Sequence, residues 1–411
     1  MKTTELEERS MKITTMMRAP ALLLVLLVVA TACRTAPTVE DDTAPPEPTK
    51  LERISEDTGL SIESLELFDE SLGVMDSDRS AAAAILERVV ELEPTFAEAH
   101  FNLGLLYGDM DRPEDAVVHI QQARELDPDV FDYTVAMAKA YAEAGEYEDA
   151  KRLFNEVVTR QPDNLVAKNN LAVIALRQGD EEEALRFVEE ILREDNQNVG
   201  ALNTLGLVYM ERQNLSLAKF VLGRALEQDE HQVDVLNNLG LVYMQEENVP
   251  AAVRAFARAV DADPNYLESR LNLGSILLEY LDYERAHDHF ENAVRIAPQN
   301  CVANLGKGAT SFALGSHEEA YELYSYYLDS CDSDHYSSTQ RLASLAENYL
   351  QRPGDAIRHY ERLIELSDDA SDIANYEATI GFLRTQADQA QQAQPVQPDE
   401  IAEEEEEGDQ D

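Results

Sequence analysis

Eight residues recur almost unchanged after a step of 34: Asn203-Thr204-Leu205-Gly206-Leu207-Val208-Tyr209-Met210 returns as Asn237-Asn238-Leu239-Gly240-Leu241-Val242-Tyr243-Met244. Apolar residues repeated at a fixed interval build the same local unit many times, and each unit buries its face against the next copy rather than in one central core. An interval of 34 residues is that of a helix–turn–helix unit, so the chain is expected to be an all-α solenoid of tandem hairpins. The register holds over 97–334 without insertion or deletion. Leu or Met stands before Gly or Ala at Leu103-Gly104, Met137-Ala138, Leu171-Ala172, Leu205-Gly206, Leu239-Gly240 and Leu273-Gly274. Ala116, Ala150, Ala184, Ala218, Ala252, Ala286 and Ala320 keep the same interval. One helical turn after them come Ile120, Phe154, Val188, Leu222, Phe256, Phe290 and Tyr324.

The small residues let two helix backbones approach, and the bulky ones fill the space beside that contact to the density of a protein interior. Pro94, Pro128, Pro162, Pro264 and Pro298 close second helices, because proline lacks the amide donor that would continue them. This alternation resembles the tetratricopeptide repeat family, which implies a right-handed superhelix of hairpins serving as a protein-binding scaffold. The early tryptophan of the family pattern is replaced here by His100, Thr134, Lys168, Leu202, Leu236, Arg270 and Asn304, and the chain has no Trp at all. Weaker units at 63–96 and 337–368 flank the strict array, as expected of terminal repeats with one face toward solvent. Ile373, Tyr376, Ile380 and Leu383 keep helical spacing and predict a capping helix over 369–392.

The run Ala21–Ala30 is apolar and follows Lys12 and Arg18. It is shorter than the roughly 20 residues that cross a bilayer and reads as the core of a secretory signal peptide over 1–32. Glu5, Glu7 and Glu8 are out of place in the positive region such a signal needs, so Met11 is the better start. Ala30-Thr31-Ala32-Cys33 resembles the lipobox of bacterial lipoproteins, which implies lipidation of Cys33; an ordinary cleaved signal with a coincidental Cys is the alternative. Arg34 in place of Asp implies, by resemblance to enterobacterial sorting, an outer-membrane lipoprotein facing the periplasm of a Gram-negative cell. Residues 33–56, with Pro37, Pro45, Pro46 and Pro48, read as an extended tether before a solenoid over 57–368.

Cys301 and Cys331 stand at the start of one repeat unit and just past its second helix, ends that lie side by side in an antiparallel hairpin. In an oxidising compartment they are expected to form a disulfide worth about 3–4 kcal/mol by the loop-entropy model; in a reducing one they would be two buried thiols. The net charge is −48, from 33 basic and 81 acidic residues. Phosphate contacts need Lys and Arg, so nucleic acid is excluded as a partner. The acidic segment 393–411 reads as a solvated tail.

In the family the first helices line the concave face. Projection onto those positions gives an amide row, Asn102, Asn169, Asn170, Asn203, Asn237, Asn238 and Asn272, beside an apolar row that includes Leu207, Met210, Leu241 and Met244, with Leu278 and Phe312 further along. Asn offers both donor and acceptor to an extended peptide backbone, and Met accepts side chains of varied shape. The alternative for the amides is hydrogen bonding to neighbouring groups of the solenoid itself. Glu98, Asp132, Asp234 and Glu268 add acid to this face, whereas Lys139 and Arg177 are its basic members. No metal-binding His motif, phosphate-cradling glycine loop or nucleophile elbow is present. The expectation is a non-catalytic scaffold without cofactor or metal, binding extended or helical segments of protein partners. Its layout resembles lipid-anchored repeat proteins of gliding-motility and type IV pilus assembly machines; an adaptor that recruits or regulates periplasmic cell-wall hydrolases is the alternative.

Overall fold

The computed structural model describes residues 49–75 and 77–392. Among these residues nine hairpins follow one another. Hairpin 1 joins Ile62–Val74 to Arg79–Leu92, hairpin 2 Ala97–Asp109 to Pro113–Leu126, and hairpin 3 Phe131–Glu143 to Tyr147–Arg160. Hairpin 4 joins Leu165–Arg177 to Glu181–Glu194, hairpin 5 Val199–Glu211 to Leu215–Gln228, and hairpin 6 Val233–Gln245 to Val249–Ala262. Hairpin 7 joins Leu267–Glu279 to Tyr283–Ile296, and hairpin 8 Cys301–Ala313 to His317–Ser330. Hairpin 9 runs from Tyr336–Ser344 through a π-helical turn, Leu345–Tyr349, to Pro353–Leu366, and the helix Ala370–Gln392 follows. The described residues divide into two units, 49–272 with 295–299, and 273–294 with 300–392.

The extended tether expected up to residue 56 ends sooner. Thr49 and Glu52 form a capping box in which each side chain accepts from the other's backbone N–H, and a helix spans Lys50–Thr58. Two orphan amides are satisfied at once, which fixes the helix start. Gly59 at φ 76° stops it.

Inside the hairpins the small residues do what their spacing predicts. A methyl group on Gly240 would lie 2.5 Å from the Phe256 ring, and one on Gly104 would lie 2.5 Å from Ile120. In hairpins 2 to 9 the turn between first and second helix contains one residue in the left-handed region. Gly145, Gly179 and Gly315 fill it without strain, but Asp111, Gln213, Glu247 and Leu281 adopt it too. A non-glycine residue there gives up about 1–2 kcal/mol.

The polar replacements for the missing tryptophan are buried, and several are tied to backbone. Arg270 Nε donates to the Pro264 carbonyl at 2.6 Å, and His100 Nε2 lies 3.2 Å from the equivalent Pro94 carbonyl. Lys168 instead pairs with Glu194 at 2.8 Å.

In the first unit the first helices of hairpins 2 to 6 touch one another as well as their own partners, which places them on the inner side of the curve. The stack returns on itself: Arg79 Nη1 donates to the Asn265 carbonyl and Arg295 Nη1 to the Ser77 carbonyl, both at 3.2 Å. The inner face is therefore a narrow concavity.

The second unit holds the disulfide, Cys301 to Cys331, with Cα atoms 5.9 Å apart. Hairpin 9 carries one residue too many. From Gly104 to Ala116, and likewise in each of hairpins 2 to 8, the small residue and the second-helix alanine stand twelve apart, whereas Ala343 and Ala356 stand thirteen apart. The surplus is absorbed as the π turn, where the Leu350 amide donates to the Leu345 carbonyl at 2.9 Å. Beyond it, Leu383 of the last helix packs on Ala346 and Ala356, so this helix covers the end of the array.

Candidate functional site: the inner face of the solenoid

The amide row of the sequence is a ladder between neighbouring repeats. Asn272 Nδ2 donates to Asn237 Oδ1 at 2.9 Å, and Asn238 Nδ2 donates to Asn203 Oδ1 at 2.9 Å. Thr204 Oγ1 continues the series to Asn169 Oδ1 at 2.9 Å, and Ser269 Oγ also reaches Asn237 Oδ1. Asn102 and Asn170 turn back on their own helices, donating to the Glu98 and Val166 carbonyls. The acceptor oxygens of Asn169, Asn203 and Asn237 are thus engaged within the solenoid, and the row acts first as a clamp between successive first helices of the first unit, up to the start of Leu267–Glu279. Leu207, Met210, Leu241 and Met244 are half-buried beside it. Met210 packs against the buried cluster of Leu202, Leu222 and Val235, so part of the apolar row belongs to the core.

Carboxylates dominate the rest of the inner face in the first unit. Asp109 and Glu143 end the first helices of hairpins 2 and 3, and Glu268 opens that of hairpin 7. Burial is the largest cause raising the pKa of all three. Asp109 leaves 60% of its side chain exposed, yet it faces the concavity rather than bulk solvent, which is how an accessible group comes to be poorly solvated. They also act on one another. The charges of Asp109 and Glu268 push Glu143 upward, while Lys139 and Arg177 pull it down; Asp234, Asp111 and Asp109 push Glu268 upward. Arg79 pairs with Asp109 at 3.4 Å and opposes its rise. Tyr266 donates to Asp234 at 2.9 Å, and burial with the surrounding acids drives its hydroxyl far above the ordinary phenol value. Burial alone raises Asp132. The two basic groove residues named from sequence therefore lie within the field of Glu143, and the acids outweigh them.

In the second unit a cavity of about 450 Å³ opens among Leu278, Leu281, Tyr283, Phe312, Tyr324 and Arg341. Phe312 and Leu278 belong to the sequence-derived apolar row. Arg341 was not singled out by sequence, although it occupies the same repeat position as Asn102 and Asn170 once the extra residue in the connection between hairpins 8 and 9 is counted.

Among the described residues no three metal-ligating side chains converge, and no helix is long and apolar enough to cross a membrane. Cys33 and the acidic tail lie outside the described residues.

Stacked hairpins with a side-chain-lined inner face define an α-solenoid of the kind that binds other proteins. Family models described as tetratricopeptide repeat match residues 97–130, 135–199, 203–266 and 271–335, more than half of the sequence. The chain belongs to the tetratricopeptide repeat family, whose members are generally non-catalytic scaffolds. The comparison with curated proteins finds no match. Solved structures similar to this chain include PilF of Pseudomonas aeruginosa, 19% identical over 52% of this chain and 96% of that one, with a TM-score of 0.46. PilW, a type IV pilus biogenesis factor, is 19% identical over 52% and 98%, with a TM-score of 0.42. A thermophilic repeat protein of Thermus thermophilus is 21% identical over 44% and 99%, with a TM-score of 0.40.

Proposed function

We propose that this protein is a periplasmic scaffold, held to the outer membrane by lipid on Cys33, whose first unit captures a Lys- or Arg-rich segment of a protein partner in its inner face. The observation that carries the reading is the convergence of Asp109, Glu143 and Glu268 in a concavity that solvates them poorly, with the charge of Asp234 acting on Glu268. A carboxylate in such a place is relieved by a cation that brings its own hydrogen-bond donors. The net charge of −48 adds long-range attraction for the same partner and speeds its arrival. Membership of an envelope machine of the gliding-motility or pilus-assembly kind is supported by the lipobox-like front joined to a long repeat array.

The test uses the mature full chain and a labelled peptide with alternating Lys and Ala, followed by fluorescence anisotropy at rising salt. Glu143→Gln with Glu268→Gln should weaken binding about tenfold and lessen its salt dependence while helicity is kept. Unchanged affinity in that variant would overturn the reading of the first unit. For the anchor, a Cys33→Ser chain should leave the membrane fraction and lose labelled fatty acid; retention of both would refute lipidation.

A further inference from the structure

The second unit contains seven basic residues, Arg285, Lys307, Arg341, Arg352, Arg358, Arg362 and Arg384. Six of them pair with carboxylates: Arg285 with Asp282, Lys307 with Glu291 and Glu319, Arg352 with Glu318, Arg358 with Asp355, Arg362 with Asp334 and Glu365, and Arg384 with Glu361. Among the described residues Arg341 has no such partner; its guanidinium lies over the Phe312 ring, 5.0 Å from the centroid. In so acidic a chain an unmatched cation on the wall of an apolar cavity stands out.

The rim of that cavity carries a second anomaly. Leu281 occupies the left-handed position of its turn at φ 62°, where other turns place glycine or the polar residues Asp111, Gln213, Glu247 and Gln351. Its side chain is 66% exposed, and the neighbouring Tyr280 is 62% exposed. Leu281 is thus the apolar residue among the non-glycine residues at this turn position, and it meets solvent beside Tyr280 at the rim of the cavity. The volume of about 450 Å³ is that of a ligand-sized cleft, open to solvent on one side.

We propose that the second unit holds a second docking site, distinct in chemistry from the first, for a partner segment that presents an apolar side chain next to a carboxylate. The apolar side chain enters between Leu278, Leu281 and Phe312, and the carboxylate meets Arg341, whose planar guanidinium binds it through two N–H groups while stacking on the ring. Charge distinguishes the occupants: a basic segment suits the first unit, whereas the unmatched cation on this wall favours a carboxylate. This deepens the reading of the chain as a scaffold, since two sites of opposite preference hold two different segments at once.

The experiment uses the mature full chain and a labelled pentapeptide with a central leucine flanked by aspartates, compared with the same peptide flanked by lysines. The aspartate form should bind more tightly. Arg341→Gln should weaken it about tenfold, and Arg341→Glu should turn the preference toward lysine. Leu281→Gly should weaken binding and yet raise the melting temperature, a split that a purely structural role would not produce. Equal binding of the two peptides, or indifference to Arg341→Gln, overturns the proposal. So does a gain in affinity on removing residues 393–411, which would make the chain's own acidic tail the occupant. Decanoate that binds where neither peptide does would assign the cavity to fatty acids and overturn it as well. The Glu143 and Glu268 variants should leave the aspartate peptide unaffected, so failure here and failure of the first-unit reading are told apart.

Discussion

Glycine at the centre of a first helix is costly unless the partner helix needs the room, and hairpins 5 and 6 allow that exchange to be measured. Gly240 and Gly223 both sit inside helices, where Ala is preferred over Gly by about 1 kcal/mol. Nothing lies within 4 Å of a methyl group added at Gly223, so Gly223→Ala should stabilise by up to about 1 kcal/mol. At Gly240 the new methyl would lie 2.5–2.7 Å from three atoms of the Phe256 ring, which is fully buried and cannot swing away. Overpacking of this kind costs about 1–3 kcal/mol. Net of the helix preference, Gly240→Ala should destabilise by up to about 2 kcal/mol. In hairpin 3 the equivalent residues are Ala138 and Phe154, both fully buried, so a methyl group can be admitted where the two helices are spaced for it. Hairpin 6 would have to make that room against neighbours already in register. Urea unfolding followed by far-ultraviolet circular dichroism should separate the two variants by the steric cost alone, and Phe256→Leu should remove most of the gap. If both alanines stabilise equally, the glycines do not set the spacing of the hairpins.

Three further outcomes follow from other parts of the structure. Asn237→Ala strips the acceptor from Ser269 and Asn272 at a buried point and should cost about 1–3 kcal/mol, with faster amide exchange across hairpins 6 and 7; wild-type exchange would refute the clamp. Cys331→Ser should destabilise the second unit by about 3–4 kcal/mol and leave the first unit's melting unchanged. Asp109, Glu143 and Glu268 have folded pKa values above their ordinary 3.8 and 4.5, so the folded state binds their protons more tightly than the unfolded state does. Each therefore subtracts stability in full above its raised pKa and none below the ordinary value, and melting of the first unit should rise as pH falls from neutral into that window. Glu143→Gln with Glu268→Gln should flatten the rise; an undiminished slope would place its origin elsewhere.

What could be read from the sequence divides along one physical line. Interactions within a hairpin repeat with the period, so Gly240 with Phe256 and Gly104 with Ile120 announce themselves by recurring at a fixed distance. Interactions between hairpins are offset from the period. Asn203 meets Asn238 and Asn237 meets Asn272, one residue beyond a full repeat. Reading each repeat position as a separate column therefore leaves donor and acceptor in different columns, and the amides look like a surface waiting for a peptide. The pairing was nevertheless visible, because amides recur at both the fifth and the sixth positions of successive units. The same holds for the π turn, whose extra residue shows in the spacing from Ala343 to Ala356. The acid-lined concavity is of another kind: Glu143 and Glu268 meet only because the first unit curves back on itself, and that curvature accumulates from small rotations no single repeat reveals. A clamp that sets those rotations thus also sets how closely the carboxylates converge. Loosening it at Asn237 should lower the affinity for a basic segment, although the side-chain hydrogen bonds of Asn237 go to Ser269 and Asn272 rather than to an acid of the site.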